Sequence, residues 1–241
     1  MNNILSVDDL SVSFGSHQVL NSLSFTLKER EILGVIGPNG AGKTTLMNAL
    51  TGLLKPDRGR IVFQGADVTN LSPARRCRFG IGRTYQIPRP FVNMTVFENV
   101  LVGAVHGASL SEKEGKKKSL EILAATGLLE KKDLPAGRLD LLDRKRLELA
   151  RGMATNPVVL LLDEVAAGLT EAEVANVIKI VKKIKENGIT IIWIEHILMT
   201  MVEAADRVLC IAAGKALVCG TPKEVLASKE VAEAYLGVEE D

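Results

Sequence analysis

Apolar positions along the chain fall into three regimes. Near the N-terminus they form short runs with polar punctuation, at Ile4 to Val7, Ser22 to Leu27 and Ile61 to Phe63. That spacing predicts antiparallel strands beside a central strand, Glu31 to Ile36. Pro56-Asp57-Arg58-Gly59 predicts a turn. From about Val92 the period lengthens: Val96 to Val105, Ser111 to Thr126 and Arg144 to Thr155 carry helical spacing, broken by glycines and by Pro135. An α/β pattern returns at the wholly apolar run Val158 to Leu162, a buried strand. Glu171 to Asn187 is an amphipathic helix that stops before Gly188, and Ile189 to Ile194 is a second buried strand. Arg207 to Ala212 and Lys215 to Val218 form a last strand pair. The pattern predicts an α/β protein: a mixed-sheet core with an antiparallel β edge from residues 1–91 and 156–241, and a helical insertion at 92–155. There is no internal repeat, and no tract of disordered composition beyond the acidic tail Glu239-Glu240-Asp241.

Between the central strand and a helix starting near Thr45 stands Gly37-Pro38-Asn39-Gly40-Ala41-Gly42-Lys43-Thr44. It matches the phosphate-binding pattern G-x-x-x-x-G-K-[ST] at every fixed position. Glycines let the backbone curl so that its N–H groups point at phosphate oxygens. Lys43 is a point charge for the β- and γ-phosphates, and the Thr44 hydroxyl can ligate Mg²⁺. At Thr45 the chain enters the helix, whose N-terminus also favours anions. The rival reading, a glycine-rich turn, is disfavoured by the strand before the loop and the helix after it.

The strand Val158 to Leu162 ends in Asp163-Glu164. An apolar strand ending in an acid, downstream of a phosphate loop, is the Walker B arrangement. Asp163 would hold Mg²⁺, and Glu164 would orient or deprotonate an attacking water. The bland alternative is an acidic turn after a core strand. His196 follows the strand Ile191 to Ile194, and a histidine at the carboxyl end of a parallel strand faces the crevice where ligands bind open α/β sheets and could donate to a γ-phosphate. Alone, such a histidine is more often structural. Gln86 lies between the core and the insertion, where a glutamine can reach Mg²⁺ and the water.

Charge and composition remove other classes. A net charge of +1 over 241 residues gives no electrostatic case for nucleic acid. Lys116-Lys117-Lys118 reads as a solvated helix face; Arg75, Arg76, Arg78, Arg83 and Arg89 are denser and could face a partner, with surface solvation the stronger reading. Cys77, Cys210 and Cys219 form no C-x-x-C pair and read as reduced thiols of a cytosolic protein. The N-terminus has no signal-peptide pattern, and the longest apolar runs are too short to span a bilayer.

The order of these motifs resembles the ATP-binding cassettes of ABC transporters, over essentially the whole chain. Phe14, in Val12-Ser13-Phe14-Gly15, matches the aromatic residue that stacks on adenine in that family. Gly80 to Pro88, Asn93 to Val100, Ala166-Ala167-Gly168-Leu169, Gly220 to Val225 and Ala234 to Gly237 resemble the ATP-binding subunits of branched-chain amino acid importers. The resemblance implies a RecA-like core, ATP and Mg²⁺ as ligands, and Glu164, His196 and Gln86 as catalytic residues. It also implies transmembrane permease partners and a cytoplasmic site on the inner face of the cell membrane. Two cassettes would sandwich ATP head to tail, each phosphate loop facing the other chain's signature motif. The alternatives are a non-transport cassette in translation or DNA repair, and a regulatory cassette that never hydrolyses.

The chain departs from the family where it would act across a dimer. A signature like Leu-Ser-Gly-Gly-Gln is replaced by Leu139-Asp140-Leu141-Leu142-Asp143, although Arg146 to Arg151 keeps the register. Asp140 would present a carboxylate to the partner's phosphate, a repulsion of roughly 4 kcal/mol at about 4 Å and an effective dielectric near 20. Leu141 and Leu142 replace glycines that allow close approach. The milder reading is that Asp140 or Asp143 caps the helix. Thr170 stands where the family carries an acidic or amide residue, and Val165 replaces a proline. These changes suggest a heterodimer in which a partner cassette supplies the intact signature; the alternatives are a homodimer, and a chain that introduced changes disable.

Overall fold

A computed structural model describes residues 2–236. The acidic tail and Gly237 lie outside the described residues. The chain divides into two compact units, one of residues 2–73 and 190–236, the other Ala74–Ile189.

In the first unit, β1 (Asn3–Phe14) and β2 (His17–Lys28) form a hairpin that turns at Gly15. β1 also pairs with β4 (Arg58–Phe63), and β4 with the short β5 (Ala66–Asp67). The antiparallel sheet has the order β2-β1-β4-β5. Leu20, Leu23, Phe25 and Leu27 give it a buried face, as half-polar runs require. The strands predicted there are present, but they pair with one another and not with the central strand. The reason is that β3 (Ile32–Ile36) has both edges taken: β8 (Thr190–Ile194) pairs with it in parallel on one side, β9 (Arg207–Ala212) on the other. β10 (Lys215–Gly220) closes that sheet antiparallel to β9. β3 and β8 are buried at every position, with Trp193 fully enclosed, which is how parallel strands read. Helices α1 (Lys43–Thr51), α7 (Leu198–Ala204), α8 (Pro222–Leu226) and α9 (Lys229–Leu236) complete the unit.

In the second unit, α2 (Pro73–Phe79) leads to β6 (Ile81–Arg83), which pairs in parallel with the buried β7 (Val159–Asp163). α3 (Val96–Val102), α4 (Glu112–Thr126) and α5 (Leu141–Ala154) pack together, and α6 (Glu171–Glu186) buries Val177, Ile178, Val181 and Ile184. Sequence sets the starts of α3 and α4 through capping boxes, Thr95 with Glu98 and Ser111 with Glu114. The helix predicted to Val105 ends at Val102, where two glycines favour a wider π turn, Gly103–Gly107. The helix predicted from Arg144 begins three residues earlier, at Leu141. Two arginines read as solvated are not: Arg76 is buried, and the Arg83 side chain is 8% exposed. Arg75, Arg78 and Arg89 are exposed, as are Lys116 and Lys117. The three cysteines are free thiols.

Buried Asn99 on α3 fixes the entry to the helices. Its Nδ2 donates to Phe91 O (3.1 Å) and Thr95 O (2.9 Å), and its Oδ1 accepts from Phe91 N–H (2.8 Å). Asn99→Ala strands backbone groups, so it should lower stability by about 1–3 kcal/mol. Denaturant unfolding checks the magnitude, and faster amide exchange from Phe91 to Thr95 checks the location.

Candidate functional site

The phosphate loop lies in the first unit, between β3 and α1. Lys43 is buried, and its Nζ donates to Gly37 O (2.6 Å) and Pro38 O (2.9 Å). The loop therefore wraps around its own cation. Gly37 and Gly42 carry φ of +154° and +101°. A Cβ on Gly37 would sit 2.1 Å from Ile211 O, and one on Gly42 would sit 2.6 Å from Leu20 Cδ2. Only glycine fits at either position, so the close turn is written into the sequence. Gly40 has nothing within 4 Å of its absent Cβ and leaves the loop open above. α1 has no side-chain cap and no acid in its first turn. Its N-terminal amides and dipole, together with Lys43, fit a phosphate group. Pro38, Asn39, Ala41, Thr44 and Thr45 complete the segment.

Phe14 and His196 belong to the same unit. Phe14 stands at the tip of the β1–β2 hairpin and is 55% exposed, open to stacking. Val19 and Leu20 of that hairpin touch the loop at Gly42. Val35 of β3 pairs with Ile194 of β8, so the phosphate loop and the exposed His196 leave the sheet at the same edge. Next to His196, Glu195 is buried and accepts from Trp193 Nε1 (3.1 Å).

The second unit gathers the remaining acids around Gln86. Asp163 ends β7, and Arg83 at the end of β6 donates to its Oδ2 at 2.8 Å. Glu164 is buried and takes φ +48°, the left-handed region that non-glycine residues seldom occupy. Gln86 Nε2 donates to Glu164 Oε2. Lys145 of α5, also buried, donates to Gln86 O (2.6 Å) and Glu164 O (3.1 Å). Glu148 accepts from Tyr85 N–H (3.2 Å), and Arg151 donates to Arg89 O (2.8 Å). Burial pushes the Glu148 carboxyl up from its ordinary pKa, against the pull of Arg151. Sequence reading missed Arg83, Lys145 and Glu148. For Lys145 and Glu148 the available signal was a charge at a helix position that also had to be buried.

Residues 139–143 cap and open α5. Asp140 is the N-cap of α5 and accepts from Asp143 N–H at 2.8 Å, so the capping reading holds. Leu141, Leu142 and Asp143 form the helix's first turn. Asp143 is buried, accepts from Lys131 Nζ and pairs with Arg146 Nη1 at 3.1 Å. That hydrogen bond to Asp143 raises the Lys131 pKa. Leu141 is 46% exposed. Thr170 begins α6, where its N–H and Oγ1 both donate to Glu173 Oε2, and Val165 is fully buried.

A glycine-wrapped lysine between a buried parallel strand and an uncapped helix defines a phosphate-loop nucleotide-binding protein. Residues 20–167 match the family described as ABC transporter, and the chain belongs to it. It is an ABC ATPase. It is 36% identical to the high-affinity branched-chain amino acid transport ATP-binding protein LivG of Salmonella typhimurium, over 97% of this chain and 98% of that one. It is 32% identical to the lipopolysaccharide export system ATP-binding protein LptB of Haemophilus influenzae, over 97% of each. Among solved structures it resembles the ADP conformation of an ATP-binding cassette of an ABC transporter, with a TM-score of 0.90, 32% identity, and coverage of 98% and 100%. A nucleotide-free cassette from an ABC transporter gives a TM-score of 0.88 at 31% identity, covering 97% of this chain and 98% of that one.

Lys43→Ala removes the cation and should weaken ATP binding by roughly 10- to 100-fold, the worth of a charge-assisted hydrogen bond. Titration calorimetry with ATP checks it. Unchanged affinity would remove Lys43 from the phosphate site.

Proposed function

We propose that the chain is the ATP-hydrolysing subunit of an importer for branched-chain or related amino acids. The observation that carries this reading is the likeness to LivG along nearly the full length of both chains. The likeness to an export protein covers as much chain at lower identity. Among the described residues no helix is long and apolar enough to cross a membrane. In this reading, as an importer subunit like LivG, the chain works through permease subunits on the inner face of the cell membrane. Exposed Ile87, Phe91 and Val92 beside Gln86 support a permease contact there. Residues 92–155 serve as the helical subdomain on a core of 1–91 and 156–241.

In this reading Phe14 stacks on adenine, Gly37 to Thr45 holds the phosphates, and His196 donates to the γ-phosphate. Thr44, Asp163 and Gln86 offer a hydroxyl, a carboxylate and an amide oxygen, the hard donors that Mg²⁺ takes. When bound, Mg²⁺ neutralises charge on the β- and γ-phosphates. Arg83 fixes the Asp163 carboxylate and Gln86 fixes that of Glu164. Glu164 accepts the proton of the attacking water.

The partner is a second cassette, and a heterodimer fits best. In this chain the amide of Asp143, at the head of α5, is already taken by Asp140, and two leucines stand where the family has glycines. α5 is thus a poor grip for another chain's phosphate. The chain alone should hydrolyse ATP slowly, and a partner with an intact signature should raise the rate about 100-fold or more. Rapid turnover by the purified chain alone would sink the heterodimer. Glu164→Gln in the assembled transporter should keep ATP binding and lower turnover about 100-fold or more; rapid turnover by that variant would remove Glu164 as the base.

A further inference from the structure

The polar face of α5 has a consequence for catalysis. Lys145, Glu148 and Arg151 recur every three residues and so share one side of the helix. Each grips the backbone of the segment that carries Gln86: Lys145 holds Gln86 O, Glu148 holds Tyr85 N–H, and Arg151 holds Arg89 O. Side chains at both ends of the segment stack on cations, Tyr85 under Arg83 (5.1 Å) and Phe91 under Arg151 (5.2 Å). Lys145 alone reaches further, to Glu164 O at 3.1 Å. One buried ammonium thus ties the signature helix to the carbonyls of both Gln86 and Glu164.

We propose that Lys145 is a positioning residue for hydrolysis. It sets the backbone from which the Glu164 carboxylate and the Gln86 amide project, and the hydrogen bond between those two side chains depends on it. A buried ammonium needs acceptors, and here the available carbonyls belong to two loops. Glu164 also stands in the left-handed region. A residue held there needs outside support, and the bond to Lys145 supplies it. Movement of α5 is thereby passed to the base and to Gln86 together. This proposal rests on the reading of Glu164 as the base.

The test compares Lys145→Met, Lys145→Arg and Glu164→Gln in the transporter co-purified with its permease subunits. Lys145→Met should lower kcat about 10- to 100-fold with the KM for ATP held within about twofold, the mark of lost positioning. Lys145→Arg keeps two donors and should recover most of the loss. Amide exchange on the purified chain should quicken across Tyr85 to Arg89 and at Glu164 in Lys145→Met, and stay unchanged in the β1–β2 hairpin. If Lys145→Met folds and kcat is unchanged while Glu164→Gln is inactive, the proposal is wrong. If Glu164→Gln remains active, the assignment of the base fails, and exchange at Tyr85 to Arg89 still decides whether Lys145 holds the loop. If Lys145→Met does not fold, the decision falls to Lys145→Arg. A kcat and exchange pattern near the parent's supports the proposal, and a raised KM with unchanged kcat overturns it.

Discussion

Burial on both faces of β3, β7 and β8 governs where chemistry can occur in this chain. Every residue of these strands is buried. A strand with no solvent-facing side has no room for working polar groups along its length, so polarity is pushed to its end. β3 therefore opens into the phosphate loop, β7 ends in Asp163, and β8 leads to Glu195 and His196. Parallel pairing then aligns ends of like sense. β3 and β8 release the phosphate loop and His196 at one edge, and β6 and β7 release the Gln86 segment and the two acids at one edge.

The cost of this arrangement is a set of buried charges, and the sequence answers several of them with an opposite charge. Arg83 faces Asp163, Lys131 and Arg146 face Asp143, Arg151 faces Glu148, and Arg207 faces Glu31. Only Arg83 and Asp163 are both nearly enclosed, and removing one member of a pair buried in that way typically costs about 3–5 kcal/mol, because the other is left uncompensated. Those pairs are better viewed as constraints on geometry than as net stabilisers. Arg83 is the clearest case. It is a positively charged residue at the end of β6, and its charge holds the acid proposed for Mg²⁺.

The legible part of the protein was the part written in local pattern. Apolar runs identified β3, β7 and β8, glycine placement identified the phosphate loop, and amphipathic spacing identified α4 and α6. What pattern could not show was which strands pair. β1, β2 and β4 had the right length and alternation, yet their exclusion from the central sheet depends on β8 and β9 occupying both edges of β3, a fact of long-range topology. Charge burial was equally hidden. Lys145 and Arg144 are adjacent and alike in sequence, but one is buried against two carbonyls while the other is exposed. Only the helix phase, fixed by where α5 begins, separates them.

That starting point is also what makes the signature region informative. A helix that began at Arg144 would leave residues 139–143 as a flexible approach, able to rearrange around a phosphate. Beginning at Leu141 instead, with Asp140 as its cap, the helix absorbs those residues into its first turn. An N-cap aspartate is worth about 1 kcal/mol to the helix, and the buried Asp143 adds two cation contacts. To accept a γ-phosphate, α5 would have to give up the Asp140 cap and bring phosphate charge beside two carboxylates. Under the proposed heterodimer, the same substitutions that stabilise the helix locally oppose its use as a grip in trans. The grip of Lys145, Glu148 and Arg151 on the Gln86 segment depends on the helix and not on its first turn, so it survives the change. A cassette built this way can keep the wiring of α5 to its own Gln86 and Glu164 while leaving the across-dimer contact to a partner.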